Sequence, residues 1–341
     1  MAELAKKFLL VLAYLSLNIS LNMLNKWLLS IYGFRFPILL SVAHMTFTFL
    51  ALAPLMCMKT HRDQHASTLK KQWLGLIGVG TFFAINVGMN NYSLLTISLS
   101  LNQVIRASIP VVTAVGAVFI EHKTPSRREF MSLLLLTGGV AVAVWEGSSS
   151  KHSANGIVMC LLATISNGLM MCSIGRLMSE KLDVLRMTFY TAPVTIFVLL
   201  PFYFRMEAAA YQEYRSHVDN KGGVYIALIL LGCVNALSYN IVHSLVIKVT
   251  SSVTTTVLGE MKIVLILVLS ALLLGEGNVW TFHMLIGCTT AILGFCLYSH
   301  CKMMQGSSSI LPIIKGVPDL GQAMSDAMRA PLLTQGKTAR P

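Results

Sequence analysis

The chain has 341 residues, 55% of them hydrophobic and only 12% charged, with a mean hydropathy of +0.69. That balance excludes one or two soluble domains and indicates a polytopic membrane protein. The net charge of +12 does not call for nucleic acid, because the basic residues cluster on one set of connections between apolar runs, where they orient a membrane chain.

Ten apolar runs have spanning length, about 20 residues each. They cover roughly 8–30, 36–58, 72–93, 98–120, 130–147, 155–175, 186–205, 223–246, 252–275 and 280–300. Only seven residues precede the first run, Lys6 and Lys7 among them, so no transit peptide is expected and the first span reads as an uncleaved signal-anchor. The connection over 206–222 is too short for a domain. The segment 302–341, with its Gly, Ser and Pro, reads as a flexible cytosolic tail after a single transmembrane domain over 1–301. The seven Cys are scattered, without a CxxC pair or a His cluster at ligand spacing, so neither a disulfide framework nor a metal site nor any other cofactor is expected.

With both termini cytosolic, Arg35, Lys151, Arg205, Arg215 and Lys221 are the only basic residues on the far side, and 18 lie on the cytosolic side. The positive-inside rule therefore orients the chain with both ends in the cytosol. Ten spans divide into two sets of five, approximately 8–147 and 155–300. Because five is odd, the halves insert with opposite orientation, which is the inverted-repeat plan of secondary transporters, with a site near the midplane.

Three cations remain within spans: Lys26, Arg106 and Lys262. Lys26, beside Asn25 and Trp27, reads as a snorkelling residue near a membrane boundary. Lys262 falls near the middle of 253–276, where a charge costs roughly 2.5–3.5 kcal/mol on insertion scales. Thr255, Gly259 and Lys262 share one helix face. In the fourth span Asn102 and Arg106 are four apart, and Pro110 removes the hydrogen bond to the Arg106 carbonyl, which predicts a kink. Asn86 and Asn90 recur at the same spacing in the third span, with Asn91 beside them. Asn235, Tyr239 and His243 line one face of the eighth. Asn86, Asn91 and Asn235 read most simply as links between helices, and His243 as structural or interfacial. Arg cannot shed its proton, so Arg106 needs a partner or a cavity. Two cations from opposite halves suit an anionic ligand, Arg forking onto phosphate oxygens and Lys adding a point charge. Glu260 and Glu276 are the acids that could serve as counter-ions. An intramembrane enzyme would need paired carboxylates or a metal facing water, and a receptor or scaffold would not need two buried cations.

The stretches NKWLLSIYGFRFPILLSVAHM, NYSLLTISLSLNQVIRASIPVVTA, SEKLDVLRMTFYTAPVT and SYNIVHSLVIKVTSSVTTTVLGEMK resemble, in order and spacing, the triose-phosphate translocator and nucleotide-sugar transporter branch of the drug/metabolite transporter superfamily. The resemblance covers roughly 8–300. It implies an all-α fold of ten transmembrane helices in two inverted five-helix repeats, a central site and strict exchange. It places Arg106 where the plastid carriers have a phosphate-binding Lys, Lys262 on their ninth-helix Lys and Tyr239 on a substrate-contacting Tyr. Asn90, Asn240, Asn102, Thr255 and Gly259 complete the expected substrate-binding set. The chain departs from the plastid pattern at Ile263, Val87 and Asn90, where those carriers have Arg, His and Thr. VLGEMK instead resembles Golgi and endoplasmic-reticulum members. The implied function is an antiporter exchanging a nucleotide sugar for a nucleoside monophosphate in a secretory-pathway membrane. A sugar-phosphate or organic-phosphate/phosphate antiporter is the alternative, and a homodimer is compatible with either.

Overall fold

The computed structural model describes residues 2–94, 96–97, 99–143, 154–217, 222–260 and 282–313. Regular structure among them is helical throughout: α1 (Ala2–Lys26), which runs into a π-helical turn (Trp27–Ile31), then α2 (Pro37–Cys57), α3 (Lys59–Arg62), α4 (His65–Leu94), α5 (Leu99–Arg106), α6 (Ile109–Ile120), α7 (Arg127–Ala143), α8 (Ala154–Ser179), α9 (Val184–Met206), α10 (Ala208–His217), α11 (Gly222–Val249), α12 (252–260) and α13 (Phe282–Ile313). Six of these are long and apolar enough to cross a bilayer: Lys6–Leu29, Pro37–Cys57, His65–Ser93, Ala154–Ser179, Val184–Met206 and Tyr225–Val249. Val104–Ile120, across the end of α5 and α6, and Leu285–Cys301, within α13, are shorter apolar stretches. Large apolar side chains face outward, with Phe119 74%, Phe197 78% and Phe282 78% exposed. A soluble surface would not carry so many; a lipid-facing one does. Lys262, Ile263, Glu276 and the tail beyond 313 lie outside the described residues.

The fourth apolar run differs from the expected single kinked span. It is two helices, broken at Ala107 and Ser108, with Pro110 in the first turn of α6. Proline is pre-shaped for that position and lacks the amide that would have no helical partner there. The Arg106 side chain therefore leaves from a helix end.

Small residues let the helices touch. On α7 and α13, a Cβ at Gly139 would strike the backbone of Ala291, one at Gly287 that of Ala143, and one at Gly294 that of Leu136. On α4, Gly80 packs on Val194 of α9 and receives the Thr195 hydroxyl on its carbonyl at 3.3 Å, while Gly75 meets Leu177 of α8. Without a hydrophobic drive between helices in lipid, such close backbone approach supplies the packing energy.

Each end of the bundle has its own polar closure. At the end carrying the basic connections, His65 holds the Met56 carbonyl at 2.9 Å and the Tyr190 hydroxyl. There the buried Glu121 carboxylate accepts from Ser252 and, at 2.7 Å, from Lys123, tying α6 to α12. At the opposite end, Glu207 accepts the amides of Ile38 and Leu39, both at 2.8 Å, capping α2 from the far end of α9. Phe34, Phe36, Tyr211 and Tyr214 pack edge to face around it. The connection over 206–222 thus holds a short helix, α10, with its aromatic residues in this cluster.

Burial pushes the Glu207 carboxyl above its ordinary range even though two amides pull it down. The charge itself therefore adds little, and the hydrogen bonds carry the contact. Glu207→Ala would strand two amides at a buried site, about 1–3 kcal/mol each when unsatisfied, and should lower the melting temperature of detergent-solubilised protein by several degrees. Glu207→Gln keeps one acceptor and should lose less than half as much.

Candidate functional site

A cavity of about 790 Å³ lies among α1, α2, α4, α6, α8, α9, α11 and α12, and Arg106 at the end of α5 projects into it. The guanidinium Nη1 donates to Asn86 Oδ1 at 3.0 Å and Asn90 Oδ1 at 3.2 Å, both on α4. Among the described residues these bonds engage one nitrogen of the fork, Nη1. Asn90 also accepts from Asn102 Nδ2 at 3.1 Å, and Asn102 donates to Ser93 Oγ at 2.7 Å. Asn102 is fully buried. Asn90 and Asn102 therefore form a layer behind Arg106 and do not line the cavity, whereas Asn86 does.

The opposite wall is built on α11 and α12. Tyr239, Asn240, His243, Ser244, Thr255, Thr256, Gly259 and Glu260 all face the cavity. Tyr14 of α1 stacks on Tyr239 and His243 with ring centroids 5.9 and 5.7 Å apart, and Tyr239 stacks on His243 at 5.4 Å. His243, 7% exposed, thus completes an aromatic wall. Asn18 donates to the Tyr239 hydroxyl at 3.2 Å, and Asn22 donates to Asn18 Oδ1 at 2.7 Å. Asn18, Asn22 and Asn25, spaced four and three apart, present one ladder of amides to the cavity. Asn235, one turn outside Tyr239, instead donates to Ser20 Oγ of α1 at 2.8 Å, the helix-to-helix link its sequence suggests.

The residues expected from sequence thus divide. Arg106, Tyr239, Asn240, Thr255 and Gly259 meet in one cavity; Asn90 and Asn102 stand behind it; Lys262 lies outside the described residues. Glu260 lines the same cavity. Sequence reasoning missed Tyr14, Asn18, Asn22, Asn167 and the threonines Thr188, Thr191 and Thr195 of α9. Their periodicity was the available signal: 188, 191 and 195 fall on one helix face, as do 14, 18, 22 and 25.

Chemically, the cavity offers one fixed guanidinium, many neutral donors and acceptors, stacked aromatic rings, and a wall of Met45, Met170, Met171 and Met187. That combination suits a ligand with an anionic group and a polar, partly planar body.

A probable sugar phosphate/phosphate translocator of Arabidopsis thaliana is 30% identical over 312 residues, covering 86% of this chain and 94% of that one. UDP-uronic acid transporter 1 of the same plant is 30% identical over 305 residues, with the same coverage. UDP-xylose transporter 2 is 27% identical, covering 91% and 86%. A solved crystal structure superposes with a TM-score of 0.61 at 13% identity, covering 86% of this chain and 96% of its own, a likeness of fold alone. Residues 5–299 match the model of the Triose-phosphate Transporter family, and the chain belongs to that family of integral membrane transporters.

Proposed function

We propose that the protein is an antiporter that carries a nucleotide sugar into the lumen of a secretory-pathway organelle in exchange for a nucleoside monophosphate. The single observation that supports this reading best is the cavity itself. At about 790 Å³ it falls in the range of roughly 300–1,000 Å³ that suits drug-sized ligands, and a three-carbon phosphate would fill little of it. Arg106 takes a phosphate oxygen pair, the family resemblance assigns a second phosphate contact to Lys262, and the aromatic and amide walls take base and sugar. The names of two relatives, transporters of UDP-uronic acid and UDP-xylose, agree.

The wider architecture is part of the proposal: ten transmembrane helices in two inverted repeats of five, with both termini cytosolic. The described helices other than α3 and α10 overlap the apolar runs, and α7 in the fifth run packs against α13 in the tenth. Golgi or endoplasmic-reticulum residence follows from the resemblance of VLGEMK to secretory-pathway members.

The decisive experiment is counterflow. Purified protein in liposomes preloaded with UMP should take up labelled UDP-sugars from a panel, and no stimulation by any nucleoside monophosphate would overturn the reading. The second reading, sugar-phosphate/phosphate exchange, is favoured by the sugar-phosphate translocators among the relatives. Ile263 and Val87 stand where the plastid carriers have cationic or imidazole ligands, so triose phosphate and inorganic phosphate should inhibit at least tenfold more weakly than UMP. Inhibition by triose phosphate at the same concentration as UMP would select the second reading.

A further inference from the structure

A second cavity, of about 1,020 Å³, lies on the outer face of the bundle between α7 and α13. We propose that it is a binding site for one anionic glycerophospholipid of the leaflet at the basic end. The rim is cationic: Arg127 and Arg128, both exposed, open α7, and His300 faces them from α13. The floor is apolar, formed by Met131, Leu134 and Leu297 with their neighbours.

Its shape follows from the helix packing. The two helices are in backbone contact from Leu136 and Gly294 to Ala143 and Gly287. Beyond those contacts, toward Arg127 and Met304, the groove is lined from both helices. From Arg127 to Leu135 is eight residues, about 12 Å at 1.5 Å per residue. Half of a hydrocarbon core of about 30 Å is close to that length. A headgroup phosphate at the arginines therefore puts its acyl chains along the floor within one leaflet.

Charge decides the occupant. Ser126 and Glu129 close a reciprocal cap at the start of α7, Ser126 N donating to Glu129 Oε2 at 2.7 Å and Glu129 N to Ser126 Oγ at 3.3 Å. Glu129 is buried and does not line the groove, whereas Arg127, Arg128 and His300 do. Guanidinium pairs match phosphate geometry, and basic pockets between helices on the cytosolic side suit anionic headgroups. A second copy on a two-fold axis would bring the same cations face to face, which costs energy.

The test uses the full-length purified transporter. Phosphatidylserine and phosphatidylcholine are titrated separately, with bound lipid counted by native mass spectrometry and the melting temperature followed in parallel. Phosphatidylserine should be retained at least fivefold more than phosphatidylcholine and raise the melting temperature further. Arg127→Gln/Arg128→Gln should abolish that preference, Arg127→Lys/Arg128→Lys should keep part of it, and the melting temperature without lipid shows that each variant is folded. Soluble glycerophosphoserine should not displace the lipid, because it lacks the acyl chains the floor binds. Equal retention of the two lipids, an unchanged preference in the glutamine variant, displacement by the soluble headgroup, or a disulfide-linked dimer formed through Leu134→Cys would each overturn the proposal.

Discussion

Arg106→Ala should sharply reduce nucleotide-sugar exchange in proteoliposomes while the protein still inserts and melts cooperatively. The side chain is held on the cavity wall by Asn86 and Asn90, and no other Lys or Arg lines the cavity among the described residues. Removing one member of a desolvated, hydrogen-bonded charge pair costs about 2–5 kcal/mol. At about 1.4 kcal/mol per factor of ten, exchange should fall roughly 30-fold to a few thousand-fold. Arg106→Lys should recover only part of this, because one ammonium cannot hold Asn86 and Asn90 and also fork onto two phosphate oxygens. Initial rates of labelled UDP-sugar uptake into UMP-loaded vesicles measure the effect. A rate within threefold of wild type for Arg106→Ala would remove the anion site from the centre of the mechanism. Asn90→Ala separates positioning from contact: it lies behind the guanidinium, so it should weaken apparent affinity for UMP and UDP-sugar by a similar factor.

What could be read from sequence is what the membrane makes expensive. Apolar runs of spanning length and an arginine within one of them carry a large energetic cost unless the fold justifies them, so the helices and Arg106 stand out in a bare chain. Polar groups with two plausible uses do not. Thr188 and Thr195 return their hydroxyls to carbonyls four residues back, at 2.8 and 2.9 Å, as threonines in membrane helices do, and nothing local shows that they also face a cavity. Asn86 fits a helix-to-helix link equally well until Arg106 is seen donating to it. Glu207 was invisible for another reason. Its partners are two amides 169 and 168 residues away, and a helix N-terminus leaves no side-chain signature for the acid that caps it. Pro110 gave the right place for a distortion and the wrong kind, because the break at Ala107 and Ser108 lets the proline open a new helix rather than bend an old one.

Glu260 bears on how strictly the carrier exchanges. With Arg106 and Lys262 alone, an empty site would hold two like charges, and carrying them between gates away from bulk water would be slow, since each ion's solvation is worth several kcal/mol. The structure puts the Glu260 carboxylate on the opposite wall of the cavity that Arg106 enters. In the proposed site the empty carrier then bears a net charge nearer +1 than +2, and its return is correspondingly less hindered. Wild-type protein should therefore show fast uptake into UMP-loaded vesicles and a slower but measurable uptake into buffer-filled ones. Glu260→Gln removes the balancing charge without removing volume. It should suppress the buffer-filled uptake by about tenfold, the equivalent of about 1.4 kcal/mol, while the loaded exchange, in which substrate phosphates neutralise the cations, falls much less. The ratio of the two initial rates is the readout, and it is independent of how much protein reconstitutes. A ratio unchanged in Glu260→Gln would mean that this carboxylate does not balance the empty site, and a ratio that falls would mean that it helps drive the loaded step instead.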